Sequence, residues 1–122
     1  MKNTFKKHER LKRKCYFDTL FSKGKSIKAY PIRVIYLEFT PDNFKDCKNI
    51  AENTQVTFSV PKRRFKNATD RNRIKRQMKE AYRLNKSTLD KNMAMVFVYL
   101  PTEKPDYVVL ERAMKKLLKI LS

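Results

Sequence analysis

The sequence is short of the residues from which protein catalytic and metal sites are usually built. It has one histidine and two cysteines, and no tryptophan, among its 122 residues. The only histidine, His8, lies in a cationic tail, so multi-histidine metal sites are excluded, and Ser-His-Asp triads and histidine-assisted nucleophiles are not expected. Cys15 and Cys47 lack the close spacing and the additional ligands of a zinc or redox motif, so we expect both to be incidental thiols. No catalytic residue and no metal ligand is therefore predicted.

Long apolar runs are also missing from the chain. No stretch approaches the about 20 consecutive apolar residues that a membrane-spanning helix needs, and the N-terminus lacks the apolar core of a signal peptide. We therefore expect a cytoplasmic protein that does not enter membranes. With 122 residues the chain is expected to be one domain, 1–122, in which the basic residues 1–13 form a flexible tail.

Acidic residues are scarce relative to basic ones. The chain has 12 Asp and Glu against 30 Lys and Arg, which gives a formal net charge of +18 at pH 7. Phosphate backbones are the partner that such a charge favours, and a membrane surface is the weaker competitor. Apolar residues make up 41% of the chain, including eight Phe and six Tyr, which is enough for a packed core.

Hydrophobic patterning predicts seven elements in the order α-β-β-β-α-β-α. The predicted ranges are a helix at 14–22, strands at 25–29, 32–39 and 55–60, a helix at 68–85, a strand at 93–100 and a helix at 107–121. Gly24, the only glycine, is placed to end the first helix, and Asn67 and Asp106 are placed to cap the later ones. The strand at 93–100 is apolar on both faces and should be central. This order indicates an α+β two-layer sandwich.

The long second helix is strongly basic. Ile74, Met78, Ala81 and Tyr82 share its buried face, whereas an adjacent cationic stripe consists of Asn72, Lys75, Arg76, Lys79, Arg83 and Lys86. Like charges four residues apart destabilise a helix by a few tenths of a kcal/mol per pair, so this stripe indicates a polyanionic partner. The alternative is a solvated lysine face, but such faces usually intersperse glutamates, and this stripe contains none.

The run from Ser59 to Arg83 closely resembles the signature of the bacterial ribonuclease P protein subunit. Its core is Arg71, Asn72, Arg73, Lys75 and Arg76. The segment RLKRKCYFDTLFSKGKS at 10–26 is similar to the family's first helix and following turn, so the resemblance covers nearly the whole chain. It implies the ribosomal protein S5 domain 2-like fold, with the long basic helix as part of it.

The same resemblance implies a protein that binds a large catalytic RNA and the single-stranded 5′ leader of precursor tRNA, and assists endonucleolytic removal of that leader. The RNA would carry out the hydrolysis with bound Mg²⁺, and the protein would bind no cofactor of its own. The protein would be monomeric and would join the RNA in a 1:1 complex. This implication agrees with the lack of protein catalytic groups, because positioning and charge compensation need only cations and aromatic rings.

Two surfaces follow from the resemblance. The RNA-subunit surface would comprise Lys62, Arg63, Arg64, Lys66, Arg71, Asn72, Arg73, Lys75, Arg76, Lys79 and Arg83. Within it Arg71 points toward the buried side of the helix, where it can hold the preceding loop. The leader surface would comprise Lys12, Arg13, Lys14, Tyr16, Phe17, Phe21 and Tyr36, because a base stacked on an aromatic ring gains about 1–3 kcal/mol with little dependence on base identity. The alternative for Phe17 and Phe21 is core packing.

Three other functions compete with this interpretation. A ribosomal or other structural RNA-binding protein without a processing role would share the charge and size. A helix-turn-helix DNA-binding protein is disfavoured, because predicted strands, and no short turn from another helix, flank the basic helix. A metal-dependent nuclease using Asp18, Glu38 and Asp70 is disfavoured because these carboxylates are scattered along the chain.

Overall fold

The computed structural model of the protein describes residues 9–86 and 91–121. Its elements are α1 (Lys14–Lys23), β1 (Lys25–Ala29), β2 (Ile32–Glu38), β3 (Gln55–Ser59), α2 (Ala68–Asn85), β4 (Met93–Tyr99) and α3 (Tyr107–Leu121). The α+β class and the predicted element order are confirmed, with boundaries that differ from the predicted ones by one residue at most.

The strands form a four-stranded sheet in the order β1-β2-β4-β3. β2 runs antiparallel to β1 and to β4, whereas β3 runs parallel to β4. β4 is therefore an interior strand, as predicted. Because side chains alternate along it, Met95 and Phe97 belong to one buried cluster whereas Ala94 and Val96 belong to another.

Each face of the sheet packs against a different layer. α2 and α3 cover one face and bury Phe97, Tyr82 and Leu117 between helices and sheet. On the other face, which we call the α1 face, Tyr16 and Leu20 of α1 pack with Phe44 from the β2–β3 connection. The long connection thus belongs to the core of the α1 face and holds α1 against the sheet.

The ends of the helices follow the sequence signals. The side chain of Asn67 accepts a hydrogen bond from the Thr69 amide at 2.9 Å, and Asp106 accepts one from the Val108 amide at 3.0 Å. Gly24 ends α1 by donating its amide to the Leu20 carbonyl oxygen at 2.7 Å. A side chain at position 24 would overlap that carbonyl oxygen, which explains why glycine stands there.

The expectation that Cys15 and Cys47 are incidental thiols is wrong. The two residues form a disulfide that joins α1 to the β2–β3 connection. Their Cα atoms lie 5.9 Å apart although the residues are separated by 32 positions in the sequence. Spacing rules for metal and redox motifs concern cysteines close in sequence, so they carry no information about this long-range pair.

The predicted N-terminal tail is partly held by the fold. Residues 1–8 lie outside the described residues. Arg10 forms an isolated parallel bridge with Val56, and the Leu11 amide donates to the Val56 carbonyl oxygen at 3.0 Å. The segment therefore runs along the outer edge of β3 before α1 begins.

Candidate nucleic-acid interface

α2 presents its cations because its apolar face is fully used by the core. Ile74, Met78 and Tyr82 are buried, as the sequence pattern predicted. Asn72, Arg73 and Arg76 are exposed, and the stems of Lys75 and Lys79 are half-buried beside them. The first turns of the helix therefore hold several positive charges at one side of the molecule.

Two arginines of the predicted RNA-subunit surface hold the loop that precedes α2. Nη1 of Arg71 donates to the carbonyl oxygens of Phe65 and Lys66, at 2.8 and 2.9 Å. Nη1 of Arg64 donates to the carbonyl oxygen of Leu100, which ties the same loop to the end of β4. The buried Phe65 ring anchors the loop from inside. Lys62, Arg63 and Lys66 are thereby presented to solvent.

The C-terminal end of the cationic stripe has acidic partners that lie outside the stripe itself. Arg83 pairs with Glu80, with Nη2 to Oε2 at 2.5 Å and Nε to Oε1 at 3.1 Å. These hydrogen bonds lower the pKa of Glu80 and raise the pKa of Arg83. Lys86 pairs with Glu9 at 2.6 Å. The charge available to a partner is therefore concentrated at the N-terminal half of α2.

A groove of about 470 Å³ lies between α2, β3 and the segment that precedes α1. Cationic side chains line both walls of the groove, and residues of β3 form its floor. The lining residues are Arg10, Leu11, Lys12, Val56, Thr57, Phe58, Asn72, Lys75, Arg76 and Lys79. Lys12, predicted on the leader surface, is thus brought together with residues predicted on the RNA-subunit surface.

α1 presents an aromatic pair, Phe17 and Phe21. The two rings stack with centroids 6.2 Å apart and planes inclined by 20°. Phe21 is 61% exposed, Phe17 is half-buried against the α1-face core, and Leu20 between them is fully buried. The pair is therefore a partly open surface. The core-packing alternative does not hold for Phe21, whereas Phe17 packs one edge against the core.

Two tyrosines predicted on the leader surface cannot contribute to the surface of Phe17 and Phe21. Tyr16 is 1% exposed, and its hydroxyl accepts hydrogen bonds from the Ala51 amide and from Arg13, both at 2.9 Å. Tyr36 packs against the cluster beneath α2 and α3, whereas the next residue toward the N-terminus, Ile35, packs on the α1 face. A shift of one residue along a strand reverses the face, and this accounts for the wrong placement of Tyr36.

The predicted leader-surface cations differ in availability. Arg13 donates to the Asn49 carbonyl oxygen at 3.1 Å, and its guanidinium lies 4.6 Å from the centre of the Tyr16 ring. It is thus a structural contact between α1 and the β2–β3 connection. Lys14 pairs with Asp18 at 3.0 Å on the solvent side of α1, where such a pair contributes little. Lys12 is exposed in the groove described above.

Sequence reasoning missed several residues of these surfaces. Arg10 lines the groove although it was not assigned to either surface. On the α1 face, Lys28 lies directly opposite Arg33, and both are exposed. The alternation of Arg33, Ile35 and Leu37 along β2 carries this information, because every second residue of a strand faces the same side.

Within residues 9–86 and 91–121, no cluster of three or more His, Cys, Asp or Glu side chains could hold a metal ion. In the same ranges no helix combines the length and the apolar character needed to cross a bilayer.

Comparisons with known proteins agree on one family. The family model described as "Ribonuclease P" matches residues 5–122. A ribonuclease P protein component of Porphyromonas gingivalis is 36% identical over 117 residues, which cover 90% of this chain and 80% of the relative. A ribonuclease P protein component of Clostridium novyi is 32% identical over 115 residues, covering 93% of this chain and 94% of the relative.

Solved structures show the same fold. The ribonuclease P protein of Thermotoga maritima superimposes with a TM-score of 0.74 at 23% identity, over 93% of this chain and 98% of that one. The Staphylococcus aureus protein gives a TM-score of 0.72 at 21% identity, over 92% of this chain and 94% of that one.

Proposed function

Because the chain belongs to the ribonuclease P protein family, we propose that it is the protein subunit that binds the catalytic RNA of a ribonuclease P particle and the 5′ leader of precursor tRNA. The observation that carries this proposal is the presence of two distinct surfaces on one small domain. One is the cationic N-terminal half of α2, and the other is the stacked Phe17 and Phe21 pair on α1.

The α2 surface is suited to a folded RNA. Arg73 and Arg76 are exposed and can bind phosphates through paired N–H groups, whereas Lys75 acts as a point charge. Asn72 can bond a 2′-hydroxyl or a base edge. Arg71 and Arg64 contribute indirectly, because they fix the loop that carries Lys62 and Lys66.

The α1 surface is suited to a single strand of variable sequence. Stacking on an aromatic ring depends little on which base is stacked. An exposed ring such as Phe21 can therefore bind many different leaders, as a processing enzyme for many precursors requires. Lys12, which lines the groove described above, provides charge for the backbone of the leader.

The chemistry in this proposal belongs to the RNA. The RNA with its Mg²⁺ hydrolyses the phosphodiester at the mature 5′ end of the tRNA, and this chain positions the substrate and neutralises phosphate charge. One copy of the protein acts with one RNA, in the cytoplasm of a bacterium. A structural RNA-binding protein would need the α2 surface but not an exposed aromatic pair.

Reconstitution tests the proposal. A ribonuclease P RNA is mixed with the purified protein at a low Mg²⁺ concentration that barely supports cleavage by RNA alone, and cleavage of precursor tRNA is followed. We expect strong stimulation of correct 5′ cleavage. Absence of stimulation despite RNA binding would favour the structural RNA-binding alternative, and cleavage by the protein without RNA would favour a protein nuclease.

A further inference from the structure

The α1 face of the sheet ends in a row of four residues, three of them polar, that neither predicted surface includes. Lys28 of β1 lies opposite Arg33 of β2, Arg33 lies opposite Val98 of β4, and Val98 lies beside Ser59 of β3. One row further in, Ile35 packs with the core beneath α1. The cations thus border the apolar part of the face on which the aromatic pair rests.

The positions of Lys28 and Arg33 are unfavourable in the isolated protein. Residues directly opposite each other on adjacent strands have Cβ atoms only about 5 Å apart, and like charges there are destabilising. Both side chains are exposed. Arg33 donates to Ser26 Oγ at 3.4 Å, and neither cation contacts a carboxylate within the part of the chain that the structure describes. An anion from outside the chain would relieve this repulsion.

The same end of the sheet carries further positive charge. β1 and β3 end there, because β3 is parallel to β4 and β1 and β4 both run antiparallel to β2. The segment after β3 continues into Pro61, Lys62 and Arg63, and both of these cations are exposed. A single strand that crosses the α1 face from Phe21 would therefore meet cations at this end.

We propose that Lys28 and Arg33 form a phosphate clasp that holds a backbone phosphate of the precursor's leader beyond the bases stacked on Phe17 and Phe21. This inference rests on the proposed function, since it assumes that the leader crosses the α1 face. A backbone phosphate is the occupant that charge complementarity favours. Contacts to phosphate do not depend on the base sequence of the leader. The clasp would thus lengthen the bound segment of leader without narrowing the range of substrates.

The test compares leaders of increasing length. The reconstituted particle binds precursor tRNAs whose leaders grow one nucleotide at a time, and affinity is measured for the wild type and for the double variant Lys28→Ala, Arg33→Ala. Wild-type affinity should rise again once the leader reaches the clasp. The double variant should lose that second rise, with about 3- to 10-fold weaker binding of long leaders and equal binding of the shortest ones.

A matched control separates the clasp from general charge. Lys115 and Lys116 are exposed cations on α3, on the other side of the sheet. The variant Lys115→Ala, Lys116→Ala removes the same charge and should keep the leader-length dependence of the wild type. An equal loss in both double variants would overturn the clasp in favour of long-range attraction.

Charge reversal at one position separates binding from folding. Lys28→Glu creates an opposite-charge pair across β1 and β2, so its melting temperature should equal or exceed that of the wild type. Its affinity for long leaders should nevertheless fall at least as far as in the double variant. Unchanged affinity would refute the clasp.

Two further outcomes are informative. A loss that is the same for every leader length would show that Lys28 and Arg33 contact the catalytic RNA, and would also refute the clasp. If the wild-type particle shows no dependence on leader length at all, the proposed leader-binding function fails first, so the two failures are distinguishable.

Discussion

The Arg71 guanidinium donates through Nη1 to the carbonyl oxygen of Phe65 at 2.8 Å. The same nitrogen reaches the Lys66 carbonyl oxygen at 2.9 Å. Both carbonyls belong to the loop immediately before the cap of α2. The first arginine of the Arg71, Asn72, Arg73 sequence therefore orders the loop, whereas Arg73 faces solvent.

Arg71→Ala should reduce stability as well as RNA binding. Loss of hydrogen bonds from a charged donor costs about 1.5–3 kcal/mol, and the loop cations lose their fixed positions. We expect a lower free energy of unfolding in urea, whereas Arg73→Ala should leave that free energy nearly unchanged. Equal stability of the two variants would assign Arg71 to the RNA surface instead.

The double variant Arg73→Ala, Arg76→Ala should weaken binding of the catalytic RNA and reduce its salt dependence. The slope of log affinity against log salt should fall by about 0.7–0.9 for each lost phosphate contact. Its melting temperature should change little, because both side chains are exposed.

Arg83→Ala on the same helix is the internal control for this series. It removes one charge whose guanidinium is already bound by Glu80, so its effect should be smaller than that of Arg76→Ala alone. If the double variant Arg73→Ala, Arg76→Ala keeps the salt slope of the wild type while its free energy of unfolding falls, these two arginines are structural.

Phe21→Ala and Leu20→Ala should affect different properties although the residues are neighbours: leader affinity for the first and stability for the second. Removing the exposed Phe21 ring should cost about 1–3 kcal/mol of leader binding with little loss of stability. Removing the fully buried Leu20 side chain should cost about 2–5 kcal/mol of stability. Affinity for precursor relative to mature tRNA, together with urea unfolding, measures both. A destabilised Phe21 variant with unchanged leader affinity would support core packing.

Reduction of the Cys15–Cys47 disulfide should lower stability by about 3–4 kcal/mol, given the entropy of closing a loop of this length. The fold should persist, because Tyr16 still receives hydrogen bonds from Arg13 and Ala51 and packs in the α1-face core. Urea unfolding with and without reductant gives the difference, and Cys47→Ser without reductant should reproduce the reduced state. Identical unfolding curves would show that the cross-link does not stabilise the protein.

The fold could be predicted because its signals are local. Apolar periodicity marks the elements, and Gly24, Asn67 and Asp106 mark their ends through contacts with residues close in sequence. The disulfide could not be predicted, since only the folded chain brings α1 and the β2–β3 connection together.

The residues of the two surfaces were predicted less completely than the elements of the fold. The helical phase of α2 identified its exposed cations and the inward direction of Arg71. It overlooked Glu80, which lies three residues before Arg83 and therefore within reach of it. Tyr36 was misplaced because strand register decides the face and a shift of one residue reverses it. Lys28 and Arg33 become neighbours only through pairing of β1 with β2.

Site-specific crosslinking in the assembled particle tests the central claim most directly. A photoreactive amino acid replaces Phe21 in one variant and Arg76 in another, and each is irradiated in a complex of catalytic RNA and precursor tRNA. Position 21 should crosslink to the leader, and position 76 should crosslink to the catalytic RNA. Crosslinks from position 21 that do not change when the leader is removed would contradict the account, as would position 76 without crosslinks to RNA.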